Sequence, residues 1–165
     1  MFITKKKPSS LSAEAYRRLR TNIKLYSEEK PLKTIVITSS IRGEGKSTVT
    51  QNLAYILSQD ESKVLIIDCN LRKPSMHSMF SIENNVGLTD VLSGSCELEK
   101  AIKNIDESLF LITSGSIVDK PSEILGSDTM KELLESVSNN FDYIIIDTSS
   151  ILVVSDTLLL ATQTD

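Results

Sequence analysis

Thr34-Ile35-Val36-Ile37-Thr38-Ser39-Ser40-Ile41-Arg42-Gly43-Glu44-Gly45-Lys46-Ser47-Thr48 is a β-branched run, a glycine-containing turn and the start of a helix, in that order. The short apolar run reads as a buried strand. The segment from Gly45 to about Ser58 reads as a helix, with Val49, Leu53, Ile56 and Leu57 on its apolar side. Between them, Gly43 and Gly45 can take backbone conformations closed to other residues, which lets successive N–H groups converge on phosphate oxygens at the positive end of the helix dipole. Lys46 is expected to reach β- and γ-phosphates and the Ser47 hydroxyl to ligate magnesium. The stretch Ser40, Ile41, Arg42, Gly43, Glu44, Gly45, Lys46, Ser47 and Thr48 is therefore read as a P-loop holding ATP or ADP, with Ser40 where the common pattern has glycine.

Working outward, Lys63 to Asp68, Leu109 to Thr113 and Tyr143 to Asp147 read as further strands. Helices are expected over Leu11–Tyr26, near Thr89–Leu92, over Leu98–Ile105, over Ser122–Asn139 and over Ser155–Thr162. The helix Leu11–Tyr26 is given an apolar side of Leu11, Ala15, Leu19, Ile23 and Tyr26, and Pro31 stops helical continuation after it. Apolar strands alternating with helices predict an α/β fold, a parallel β-sheet flanked by helices on both faces. Residues 1–30 form an arm and a first helix, and 31–165 the P-loop domain. Because the sequence stops just after a helix, where this architecture feeds another strand, it is expected to be a C-terminally truncated piece of a longer domain.

Two strands end in carboxylates. Ile144-Ile145-Ile146-Asp147 has the form of a Walker B strand, and Leu65-Ile66-Ile67-Asp68 places a second carboxylate at the same sheet edge. Asp68 and Asp147 are thus predicted, with Ser47, to position magnesium. Composition excludes other classes. The chain has 165 residues and a net charge of -4, against nucleic acid as the main partner. Its apolar runs are too short to cross a bilayer and Met1–Pro8 lacks the apolar core of a secretory signal, so the cytoplasm is expected. Cys69 and Cys96 read as reduced thiols. Lys5-Lys6-Lys7 reads as a mobile, solvated terminus, and His77 has no partner at metal-ligand spacing.

Together, the P-loop, Ile66-Ile67-Asp68-Cys69-Asn70-Leu71-Arg72-Lys73-Pro74 and Phe141-Asp142-Tyr143-Ile144-Ile145-Ile146-Asp147-Thr148 resemble the Walker A, A′ and B motifs of the bacterial tyrosine kinases of capsular and exopolysaccharide synthesis. Glu14-Ala15-Tyr16-Arg17-Arg18-Leu19-Arg20 matches that family's Glu-x-x-Arg-x-x-Arg oligomerisation motif through Glu14, Arg17 and Arg20. The resemblance implies ATP-dependent autophosphorylation on tyrosine between subunits of a ring. It also implies activation by the cytoplasmic tail of a membrane adaptor, placing the chain at the inner face of the membrane, and control of polysaccharide chain length and export. On this reading Lys46, Asp68, Asn70 and Asp147 are the catalytic group, and Arg72 and Lys73 are candidate phosphate contacts.

The sequence also departs from the family. Asn70 stands where a second carboxylate is usual, and an amide cannot accept the tyrosine proton. Ser149-Ser150 replaces Pro-Pro, Val118-Asp119-Lys120-Pro121 keeps one proline of a proline-rich loop, and the tyrosine-rich tail is missing. Tyr16, Tyr26, Tyr55 and Tyr143 are expected to be packing residues. A partition or division-site ATPase would carry a signature lysine at position 41, where this chain has Ile41. A weakly catalytic, kinase-like ATP-binding regulator is the other alternative.

Overall fold

A computed structural model describes residues 2–29 and 32–164. The elements are α1 (Ile3–Lys6), α2 (Leu11–Glu29), β1 (Thr34–Ile37), α3 (Lys46–Ser58), β2 (Val64–Asp68), α4 (Met76–Phe80), α5 (Leu88–Leu92), α6 (Leu98–Ala101), β3 (Ile102–Asp106), β4 (Leu109–Ile112), α7 (Pro121–Leu125), α8 (Asp128–Ser138), β5 (Tyr143–Asp147) and α9 (Asp156–Ala161). The sheet order is β1-β5-β2-β4-β3. β1, β5, β2 and β4 run parallel, and β3 closes one edge antiparallel to β4.

Side chains alternate across the pleat, so one run of isoleucines feeds two cores. Leu65, Ile67, Ile112, Ile144 and Ile146 pack with Met130, Leu133, Leu134 and Val137 of α8, Leu125 of α7 and Leu160 of α9. Val64, Ile66, Leu109, Leu111, Tyr143 and Ile145 pack under α3, with Tyr16 and Ile23 of α2 and Met76 of α4. Helices thus cover both faces, and β5 and β2, buried along their whole length, lie beneath them.

Four expectations are corrected. Only Leu98–Ala101 of the segment 98–105 is helical; Ile102–Asp106 turns into β3, because the hairpin through Glu107-Ser108 gives it β4 as a partner. The sheet is therefore mixed. The long helix over 122–139 is two: α7 ends at Gly126, and Ser127 starts α8 by accepting a hydrogen bond from the Met130 amide through its hydroxyl. The lysine-rich start docks: Phe2 stacks on Tyr55 at 4.2 Å, Asn52 Oδ1 accepts from the amides of Ile3 and Thr4, and Lys5 lies over the Tyr55 ring. Finally, of the expected apolar side of α2, Ile23 alone packs inward. The helix buries Ala13 and packs Tyr16 and Ile23, while Leu11 is 91% exposed and Leu19, Leu25 and Tyr26 also face outward. The proline stop at Pro31 lies outside the described residues.

Candidate nucleotide site

The P-loop leaves β1 at the carboxyl edge of the sheet and returns as α3. Gly43 and Gly45 have φ of 87° and 90°, in the left-handed region, and a Cβ at either would meet nothing within 4 Å. Backbone conformation, not space, therefore requires glycine at both. Gly45 is the N-cap of α3 and lacks a capping side chain. The amides of Gly43, Gly45, Lys46, Ser47 and Thr48 donate to no acceptor among the described residues, so a set of N–H groups is available at the helix's positive end. Glu44 Oε2 braces the loop by accepting from the Ile41 amide at 3.1 Å. Ser40 and Ile41 are exposed on its outer side.

A cleft of about 320 Å³ opens over the loop, lined by Arg42, Lys46, Ser47, Asn70, Lys73 and Ser150 among others. Lys46 Nζ is held over its floor by donating to Ser39 Oγ at 3.0 Å and Ser150 Oγ at 3.1 Å. Ser47 Oγ donates to Asp147 Oδ2 at 2.7 Å, and Thr50 Oγ1, one turn later on α3, donates to Asp147 Oδ1 at 3.0 Å. Ser75 Oγ donates to Ser47 Oγ at 3.0 Å. Asp68 is in register with Asp147 on the neighbouring strand. Its carboxylate organises the loop after β2, accepting from the amides of Asn70, Ser75 and Met76.

Both carboxyl groups are fully buried. Burial pushes Asp68 up to about 7, opposed by the Met76 amide and helped by the neighbouring Asp147 charge. Burial also raises Asp147, against the Ser47 and Thr50 hydroxyls and the Lys46 charge. Two buried carboxyl groups held above their usual range side by side are groups that a cation would return to the ionised form. With the Ser47 hydroxyl they make an all-oxygen donor set of the kind that suits magnesium. Ser47, Asp68 and Asp147, all singled out in the sequence, are therefore brought together and fit the ion that accompanies a nucleotide.

Other residues are placed differently. Arg72 is engaged by Asp156, its Nε 2.8 Å from Oδ2 and its Nη2 3.1 Å from Oδ1, and Ser122 Oγ donates to Asp156 Oδ1 at 2.6 Å. The Asp156 hydrogen bond raises the Arg72 guanidinium further above its usual range. Arg72 thus ties the loop after β2 to α7 and α9 instead of standing free for phosphate. Thr48 gives its carbonyl to the Asn52 side chain. Sequence reasoning missed Ser39, Thr50, Ser75, Ser150 and Asp156. For Thr50 a signal existed, its spacing from Ser47 along one helix face, and Ser39 lies in the same loop as Lys46; the other contacts join distant segments. Of the residues expected to mediate oligomerisation, Arg17 pairs with Glu14 on α2, and Arg20 bonds Asp60 at 2.9 Å and the Ile56 carbonyl at 3.2 Å. Among the described residues no group of His, Cys, Asp and Glu forms a ready metal cluster, and no helix is long and apolar enough to cross a membrane. Both cysteines are free.

Strand, glycine loop, lysine and two strand-end carboxylates define a P-loop nucleotide-binding domain of the α/β NTPase class. The sequence family described as an AAA domain matches residues 32–164. The tyrosine-protein kinase YwqD of Bacillus subtilis is 44% identical over 159 residues, 96% of this chain and 67% of that protein. A putative tyrosine-protein kinase in the cps region of Klebsiella pneumoniae is 37% identical over 93% of this chain but only 21% of its own length. The solved kinase domain of the Escherichia coli tyrosine kinase ETK superposes with a TM-score of 0.95 at 33% identity, covering 99% of this chain and 65% of that one. The chain belongs to the bacterial tyrosine-protein kinases.

Proposed function

We propose that the chain binds ATP with magnesium and transfers the γ-phosphoryl group to tyrosine hydroxyls, including those of other copies of itself. The observation that carries this reading is the cluster at the cleft floor: Lys46 held by Ser39 and Ser150, and Ser47 bonded to a buried Asp147 in register with Asp68. Phosphoryl transfer passes through a loose transition state, so the protein's part is positioning and charge stabilisation. Lys46 and the loop amides supply positive charge at the terminal phosphates. Ser47, Asp68 and Asp147 would hold the metal, which would supply positive charge against the charge that develops on the phosphates. Asn70, beside Asp68 and lining the cleft, orients groups by hydrogen bonds but takes no proton.

The remaining readings extend the family likeness. Residues 1–30 serve as arm and oligomerisation helix, and 31–165 as the catalytic unit of a larger protein. The outward apolar stripe of α2 supports self-association, since exposed apolar surface beside charged residues marks contact sites. The K. pneumoniae relative's place in a cps region supports a role in capsular or exopolysaccharide synthesis. The chain would act at the inner face of the membrane through an adaptor's cytoplasmic tail. The decisive experiment measures phosphate transfer from ATP to a synthetic Glu/Tyr copolymer and nucleotide affinity by titration calorimetry. Lys46→Met should weaken ATP binding by more than roughly tenfold and remove transfer. Equal affinity of the two proteins for ATP would sink the assignment of the loop.

A further inference from the structure

Of the four tyrosines, three belong to one core cluster and one does not. Tyr55 and Tyr143 are buried in the core, and Tyr16 packs against it. Tyr26 is 51% exposed, in the last turn of α2, and its phenol has no hydrogen bond or ring contact among the described residues. We propose that Tyr26 is a phosphorylation site, modified by the cleft of another copy of this chain. The inference rests on the tyrosine-kinase reading above.

Three observations carry it. The first is accessibility: helix ends lack backbone partners and open at little cost, so the last turn can present a phenol that a mid-helix position would withhold. The second is charge. Tyr26 is followed by Ser27 and Glu28, while the cleft mouth carries the exposed cations Arg42 and Lys73. The Glu28 carboxylate, two residues past the phenol, is attracted to such a rim, and Lys24 on the preceding side is already paired with Asp60. The third is direction. Lys24 and Arg20 pair with Asp60, just past the C-terminal end of α3, whereas the P-loop lies at the N-terminal end of that helix. Thirteen residues of helix separate the two ends, about 20 Å at 1.5 Å per residue. Tyr26 therefore belongs to the far side of its own cleft, and transfer must occur between copies.

In the reaction the phenolic oxygen of Tyr26 forms a bond to the γ-phosphorus of ATP. The bond from that phosphorus to the β,γ-bridging oxygen breaks, ADP leaves with the electron pair, and the phenolic proton passes to solvent. The product places a dianion at the negative end of the α2 dipole, near Glu28 and on the same outward face as Leu11, Ala15, Arg18, Asn22 and Leu25. Phosphorylated chains should therefore associate less strongly through α2.

The test mixes the active chain with a mass-tagged Lys46→Met chain, ATP and magnesium, and maps phosphate by mass spectrometry. Phosphate is expected on Tyr26 of the tagged chain, and lost when that chain also carries Tyr26→Phe. The single variant Tyr26→Phe should keep full transfer to the Glu/Tyr copolymer, which separates an acceptor from a residue needed for folding or catalysis. Copolymer phosphorylated while Tyr26 stays unmodified would overturn the inference and leave the kinase reading standing. Absence of transfer to both would remove the two together.

Discussion

At position 70 an amide stands next to Asp68, in a cleft where the reaction releases a proton. If a carboxylate there completes the metal's oxygen shell or accepts that proton, Asn70→Asp should raise the initial rate of tyrosine phosphorylation at saturating ATP by at least roughly tenfold. An unchanged rate at equal nucleotide affinity would place the limiting defect elsewhere. Asp68 makes a separate prediction. Its carboxyl is pushed up to about 7 from 3.8, so the native chain holds the proton more tightly than the unfolded one. That contribution to stability is complete below the unfolded value and is lost as pH rises through about 7. The melting temperature of the nucleotide-free protein should accordingly fall from about pH 5 to about pH 8, and Asp68→Asn should flatten the slope. Magnesium with ATP should flatten it too, because a cation favours the carboxylate. These single residues were the most legible part of the sequence. Phosphate chemistry needs glycine, lysine and serine at fixed spacing, and a strand-end carboxylate is visible from its own strand. Most supports of those residues were not legible, because Ser150 at Lys46 and Asp156 at Arg72 meet only once the sheet order is known.

Among the elements, α2 was recognised from its apolar spacing but assigned the wrong inner face. The stripe Leu11, Ala15, Leu19, Ile23 and Tyr26 looked like core, whereas of these Ile23 alone packs inward, beside a small Ala13, the ring of Tyr16 and the stem of Arg20. Ranking faces by hydrophobicity fails when the outward face is itself apolar, and that face is the reason to expect self-association. Changing Glu14, Arg17 and Arg20 to alanine should lower the oligomer mass in light scattering. Arg20→Ala alone should also cost about 1 kcal/mol of stability, since it removes the bonds to Asp60 and the Ile56 carbonyl. A monomer before and after the triple change would reduce the helix to a solvated face. Elsewhere, Ile102 and Ile105 mimicked a helical stripe. Their strand exists because β4 lies within reach across a two-residue turn, information that a window of sequence does not hold. The break at Gly126-Ser127, by contrast, was written in the chain as a stop followed by a cap.

Across the molecule, the alternation of strands and helices predicted the layers, and one antiparallel edge strand is the exception. The sheet leaves β1 with a single neighbour, β5, among the described residues. On the α3 side, three separate grips converge. Asn52 holds the amides of Ile3 and Thr4, Tyr55 receives Phe2, and the Ile56 carbonyl with Asp60 receives Arg20. The same helix begins at the phosphate loop, so the arm and α2 are clamped to a rod whose other end faces nucleotide. If chains assemble through α2 as proposed, such an arrangement makes nucleotide affinity and subunit affinity two readings of one free energy. Whatever factor ATP applies to the assembly constant, assembly must apply to the ATP constant, because the cycle closes. Measuring subunit dissociation with and without ATP, and ATP binding below and above the dissociation concentration, should return one common factor. Releasing the clamp with Asn52→Ala and Phe2→Ala should bring that factor toward unity while each binding event survives on its own.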